Sequence, residues 1–269
     1  MFGKWIQRGF LVAVATGTTA LFGQGCTVDQ ESQLFIRAVL APQAPDCQVQ
    51  ADTSSVSQGL GIIDTAISTE YKAWLLVGNQ LVTRGSQDQV RTETSRISFK
   101  SAEVHVTQAS SGAELGAYSV PVTGFVDPSS GTEPGYGVVL LPLIDRSSLE
   151  KLSFSDPSQL TRIIATVKLE GRTLGGSDIK SNEFQFVVQA CRACLVSYGA
   201  KDISTEVSAT DSTKYKYGQP NCYGAGDPDQ KNETVDLPCF GGQDAAIPCQ
   251  LCRSESCRNP FPDNNAIPK

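Results

Sequence analysis

The sequence predicts an all-β protein: an antiparallel β-sandwich, immunoglobulin-like in the loose sense, with a disulfide-stapled, loop-rich C-terminal region. Two observations carry this. From about Gln33 to Ala190 apolar residues recur with period two, between clusters of Gly, Ser, Pro and Asp. After Cys194 the long apolar runs stop, and five of the nine cysteines follow in a stretch rich in Gly, Pro, Asn and Asp.

The strands can be taken in order. Leu34, Ile36, Ala38 and Leu40 alternate with Phe35, Arg37 and Val39. Tyr71 to Val77 is apolar on both faces apart from Lys72, the pattern of a central strand. Ile97 and Phe99 occupy odd positions while Ala102, Val104 and Val106 occupy even ones. A one-residue change of phase turns side chains to the wrong face, so a bulge is expected near Lys100-Ser101. Val138 to Leu141 is a continuous apolar run, and Pro142 has no N–H for a ladder, so the strand ends or meets an edge there. Ile163, Ala165, Val167 and Leu169 form one clean alternation, and Phe184, Phe186, Val188 and Ala190 another. Gly171 to Asn182, with Gly175-Gly176, is expected to connect them as a long hairpin. Helix is expected only as a turn or two, near Ser147–Leu152 or Pro157–Thr161. Trp74 is expected to fill the core.

The start of the chain has a different character. Met1 to Arg8 carries Lys4 and Arg8 and no acid; a short apolar run follows, and small residues lead to Cys26. These are the parts of a secretory signal. The run of about 13 apolar residues is short of the roughly 20 that span a bilayer as a helix. Leu21-Phe-Gly-Gln-Gly-Cys26 resembles a bacterial lipoprotein box, with Leu21 further from the cysteine than in a typical box. The resemblance implies cleavage after residue 25, lipidation of Cys26 and a lipid bilayer as partner. Thr27, where a retention signal would put Asp, leans towards the outer membrane. Simple secretion, with Cys26 as an ordinary cysteine, is the alternative. The expected division is therefore 1–25 signal peptide, 26–32 lipidated N-terminus and tether, 33–195 sandwich and 196–269 Cys-rich region.

Charge narrows the partners. The chain has 22 basic and 28 acidic residues; cleavage removes Lys4 and Arg8 and no acid, leaving −8. Nucleic-acid binders need a basic footprint, so nucleic acid is not expected as a partner.

Setting Cys26 aside leaves eight disulfide candidates: Cys47, Cys191, Cys194, Cys222, Cys239, Cys249, Cys252 and Cys257. Three lie in the body and five in the tail. Both counts are odd, so complete pairing within one chain needs at least one bridge from tail to body. Eight cysteines allow 105 connectivities. The expected body pairing is Cys47 with Cys191 or Cys194, because first and last strands of a sandwich often lie side by side. Cys191-Arg-Ala-Cys194, Pro238-Cys-Phe-Gly-Gly-Gln-Asp244 and Pro248-Cys-Gln-Leu-Cys252 together resemble the ends of uncharacterised Cys-rich cell-envelope lipoproteins of myxobacterial-like bacteria. That resemblance implies architecture and an envelope location, and no activity.

Candidate chemistry is sparse. Cys191/Cys194 and Cys249/Cys252 have zinc-ribbon spacing, but in an exported chain disulfides are the better reading. A redox role would usually want a helix after the motif, and none is foreseen. His105 is the only histidine, on the outward face of a strand. Asp227, Asp229, Asn232, Glu233 and Asp236 form an oxygen-rich loop without the EF-hand glycine. Tyr215 and Tyr217 could form a contact surface or simply pack the loop. No catalytic set, metal or cofactor is expected. The favoured function is a non-enzymatic structural or interaction protein of the cell envelope, with an envelope protein as possible partner. Alternatives are a ligand- or metal-binding module using the Cys-x-x-Cys pairs or the acidic loop, and an exported thiol–disulfide enzyme.

Overall fold

The computed structural model describes residues 33–86, 91–155, 159–197, 239–248 and Leu251. The signal, tether, Cys26, Cys222, Cys249, Cys252, Cys257, the acidic loop, Tyr215 and Tyr217 lie outside the described residues. The elements in chain order are β1 Leu34–Leu40, β2 Ser57–Gln58, β3 Gly61–Asp64, β4 Tyr71–Asn79, β5 Ile97–Gln108, β6 Glu114–Pro121, β7 Phe125–Val126, β8 Gly135–Ile144, α1 Arg146–Leu149, β9 Thr161–Thr173, β10 Asp178–Lys180, β11 Phe184–Cys191, β12 Val196–Ser197 and β13 Ile247–Pro248. The protein is an all-β sandwich.

One sheet has the order β2-β1-β4-β8, and the other β3-β11-β9-β5-β6. β10 pairs with β9, and β7 with β5, as short additions to the larger sheet. Every pairing within the two sheets is antiparallel except β11 with β3. Ala73, Leu75 and Val77 of β4 and Val139, Leu141 and Leu143 of β8 face Ala102, Val104, Val106, Ile163, Ala165 and Val167 across one continuous core. Alternating side chains reach it because successive residues of a strand point to opposite faces. Among the described residues, no helix is long and apolar enough to cross a membrane.

The phase change in β5 is a real irregularity. Its register against β9 shifts between Phe99 and Ser101, and Ile97, Phe99, Ala102, Val104 and Val106 are all buried. β4 is central, and β8 is an edge strand that runs through Pro142 to Ile144. An edge position tolerates the missing N–H.

Two expectations, on the phase of β1 and on Trp74, are corrected. β1 does not keep one phase: its register shifts between Ile36 and Ala38, so Leu34, Ile36 and Val39 face the core and Ala38 does not. β9 and β11 are connected through Gly171 to Asn182 by a hairpin, as expected. Ladder pairing continues to Arg172↔Asp178 through β10, and the turn is at Gly175-Gly176. Gly176 supplies a φ of 93° there. Trp74 is outside the core, half-buried on the other face of β4, where its Nε1 is buried without a hydrogen-bond partner among the described residues. The helical turn expected near Ser147–Leu152 or Pro157–Thr161 forms at the first of these places, as α1. Asp145 caps it by accepting from the Ser148 N–H. Residues 159–161 are not helical, and Thr161 opens β9.

Candidate functional site

One end of the sandwich brings both described disulfides together with the buried Asp64 and Gln243. It is built from the end of β3, the turn after it, the start of β4, the end of β11 and the tail residues 239–248.

β3 would be a sheet edge on the side away from β11. The tail covers it. Asp64 N–H donates to Gly242 C=O at 2.9 Å, Asp244 N–H to Ile62 C=O at 3.0 Å, and Ile63 bridges Gln243 antiparallel. The Asp244 carboxylate adds to this by accepting from Ile62 N–H at 2.8 Å. Pairing an edge in this way removes an exposed row of backbone groups. Gly242, Gln243 and Asp244 are thus packed against the body.

Gln243 extends the other sheet. β1 ends at Leu40, opposite Trp74. Beyond it, the Gln243 side-chain amide takes both backbone groups of Lys72, accepting from its N–H at 2.9 Å and donating to its C=O at 2.6 Å. A side-chain amide carries the same donor and acceptor as a peptide unit. One buried glutamine therefore ties the tail to the smaller sheet while its neighbours tie it to the larger one.

Tyr71 lies fully buried at the same end, and its hydroxyl donates to the Asp244 carboxylate at 3.0 Å. Burial and the nearby Asp244 charge push the Tyr71 hydroxyl far above its ordinary range, so it stays a donor.

Cys47–Cys239 locks the clasp to the body, with Cα atoms 5.3 Å apart. With Cys26 set aside, complete pairing of the other eight cysteines would need such a bridge from tail to body, and Cys47–Cys239 is one. Its partners correct the expected pairing: Cys47 bonds Cys239, while Cys191 bonds Cys194. β1 does not lie beside β11 in either sheet, so the ends of the two strands are not brought together.

The two bridges differ in what they do for stability. Cys47–Cys239 spans 192 residues and Cys191–Cys194 spans 3. Chain-entropy reasoning assigns about 5 kcal/mol to the first and about 2 kcal/mol to the second, as upper values.

Asp64 organises the second bridge. It is fully buried, and its carboxylate accepts N–H groups from Ala66 at 2.9 Å, Ala193 at 2.8 Å and Leu195 at 2.9 Å. Burial pushes its carboxyl above the usual range, against the pull of the Leu195, Ala66 and Ala193 N–H groups and the Arg192 charge. The Cys191 C=O accepts from both the N–H and the hydroxyl of Thr65. Cys191 is buried, whereas Cys194 is exposed.

Strain concentrates here too. Among the described residues, the non-glycine positions with positive φ are Cys47 at 53°, Ala193 at 63° and Asp244 at 62°. Each belongs to this end, and such conformations cost on the order of 1–3 kcal/mol and persist only where the surroundings hold them.

An oxygen of Asp64 and the sulfurs of Cys191 and Cys194 lie within 4.8 Å of one another. Two sulfurs bonded to each other offer no thiolate to a metal. In this oxidation state the group is a disulfide beside a carboxylate. A cleft of about 360 Å³ opens next to it, lined by Thr65, Arg192, Arg146, Leu149 and Phe154.

His105 is exposed on β5, opposite Ala117 and Thr166. Sequence reasoning singled out Cys47, Cys191, Cys194 and Cys239 but passed over Asp64, Tyr71, Gln243 and Asp244. An acid closing the apolar run Gly61-Ile-Ile-Asp64 was the available signal, since Asp at a strand end commonly bonds nearby backbone N–H groups.

No family model matches the chain. No curated protein matches it either. A solved structure of a late embryogenesis abundant (LEA) protein is similar over 58% of this chain and 69% of that one, at 13% identity and a TM-score of 0.27. A likeness of that degree carries no argument about function.

Proposed function

We propose that the chain is a cell-envelope lipoprotein, held to a bilayer through Cys26, whose sandwich is a non-enzymatic structural or interaction module. The observation that carries this reading is the Cys47–Cys239 bridge, which joins residues 192 apart. Bridges of this kind persist in oxidising compartments outside the cytosol. A charged start, a short apolar run and small residues before Cys26 supply the route there. The clasp fits the same reading, because a domain facing the outside benefits from covered sheet edges and a covalent lock. The outer membrane is the proposed address, from Thr27, and the partner is a protein of the envelope.

The test is the mass of the N-terminal peptide of the mature protein, with fractionation of the Cys26→Ser variant. Diacylglycerol and an acyl chain on Cys26, with release of C26S from the membrane fraction, support the anchor. An unmodified Cys26 in a soluble wild-type chain overturns it.

A further inference from the structure

We propose that Cys191–Cys194 is a redox-active disulfide, opened at Cys194 by an extracytoplasmic dithiol protein and closed again by the reverse exchange, in a loop that Asp64 holds in both states. The inference goes beyond the anchored-sandwich reading and rests on different residues.

Access is one-sided. Cys191 is fully buried at the end of β11, and Cys194 is exposed. Thiol–disulfide exchange needs a thiolate to reach one sulfur, so attack falls on Cys194 and Cys191 is the leaving group.

The loop does not depend on the bridge. Asp64 grips the N–H groups of Ala193 and Leu195, Thr65 grips the Cys191 C=O, and Leu195 C=O accepts from Ile247 N–H at 2.8 Å. Ala193, with its positive φ, lies between the two cysteines and is held by one of these bonds. Opening the sulfur bond leaves that network in place. A bridge across 3 residues is a weak staple in a loop already held on both sides.

The reduced state also has a place for its buried proton. The Cys191 sulfur lies 3.4 Å from Ile63 C=O, which would accept from an S–H. The leaving sulfur takes up a proton and can donate it to that carbonyl.

The exchange balances as follows. A donor thiolate attacks Cys194 Sγ, the Cys191–Cys194 bond breaks, and Cys191 Sγ leaves with the electron pair and takes a proton. The donor's second thiolate then attacks its own sulfur in the mixed disulfide, and Cys194 Sγ leaves and takes a proton. Two electrons and two protons pass from the donor dithiol, which becomes a disulfide, to Cys191 and Cys194.

The test uses the intact mature chain, purified without reductant, in a series of dithiothreitol buffers. Each sample is acid-quenched, alkylated and mapped by peptide mass, with near-UV circular dichroism in parallel. The expected result is full, reversible opening of Cys191–Cys194 while Cys47–Cys239 stays closed and the spectrum is unchanged. A second arm uses oxidised glutathione as probe. Cys194, alone in the C191S variant, should form the mixed disulfide at least roughly tenfold faster than Cys191 alone in C194S, because access controls the rate. Opening only together with Cys47–Cys239 or with loss of the folded spectrum overturns the proposal and makes the bridge a staple. Equal rates for the two variants overturn the assignment of Cys194. Neither arm reads the lipid on Cys26, so this inference and the anchor fail separately.

Discussion

The Tyr71 hydroxyl donates to the Asp244 carboxylate at 3.0 Å across 173 residues of sequence. One partner is fully buried in β4, and the other sits in a tail residue with φ of 62°. The pair joins the hydrophobic core to the clasp, and Gly61 leaves room for it, since a Cβ there would overlap the Tyr71 ring and hydroxyl.

Removing that hydroxyl should loosen the clasp without opening the core. Tyr71→Phe keeps the ring and loses one hydrogen bond to a carboxylate, an expected cost of about 1.5–3 kcal/mol. Urea unfolding of the oxidised protein measures it. A loss below about 0.5 kcal/mol, the usual range of neutral surface changes, would show that the contact is not coupled to folding.

Cys47→Ser removes the long bridge and frees the Cys239 thiol. The expected loss is about 3–5 kcal/mol. Hydrogen exchange gives the more specific readout. The Ile62 and Asp64 amides, bonded to Asp244 and Gly242, should exchange faster, while the β9 amides hold.

Asp64→Ala deprives three N–H groups of their acceptor in a buried site. Each unsatisfied group costs about 1–3 kcal/mol, so the loss should exceed about 3 kcal/mol. Faster exchange at the Ala193 and Leu195 amides would locate the damage.

Asp145 gives a pH signature of known sign. Burial pushes its carboxyl up, but the hydrogen bonds from Ser147 and Ser148 outweigh this and hold it below the usual 3.8. A lowered folded-state value means the contribution is present above the unfolded value and is lost as pH falls through the folded one. Asp145→Ala should cost about 1 kcal/mol at pH 7 through loss of the cap. The gap between wild type and D145A in urea midpoint should shrink as the pH is taken below 3.8.

His105→Ala should leave stability within about 0.5 kcal/mol, since the side chain is exposed on a solvated strand face.

Much of the sandwich was legible because strand faces are a local property. Ile163, Ala165, Val167 and Leu169 are buried as their alternation requires. The break at Lys100-Ser101 was visible as a change of parity. Trp74 was misread because β4 is apolar on both faces, and alternation cannot say which face of such a strand is the core. The candidate site was half legible. Its cysteines were found by residue type, but Tyr71 and Gln243 look like ordinary strand and loop residues until a partner is brought to them.

By itself the sequence determined an all-β chain and most strand positions, and pointed to a tail-to-body bridge if the eight cysteines after Cys26 all pair. Only the tertiary structure decided that Cys47 meets Cys239, that Cys191 closes on Cys194, and that Asp64 and Asp244 organise the same end of the sandwich. The reason is range. Alternation is set by neighbouring residues, whereas the Cys47–Cys239, Asp64–Leu195 and Tyr71–Asp244 contacts join segments more than a hundred residues apart, and with Cys47 taken by Cys239 the neighbouring Cys191 and Cys194 close on each other.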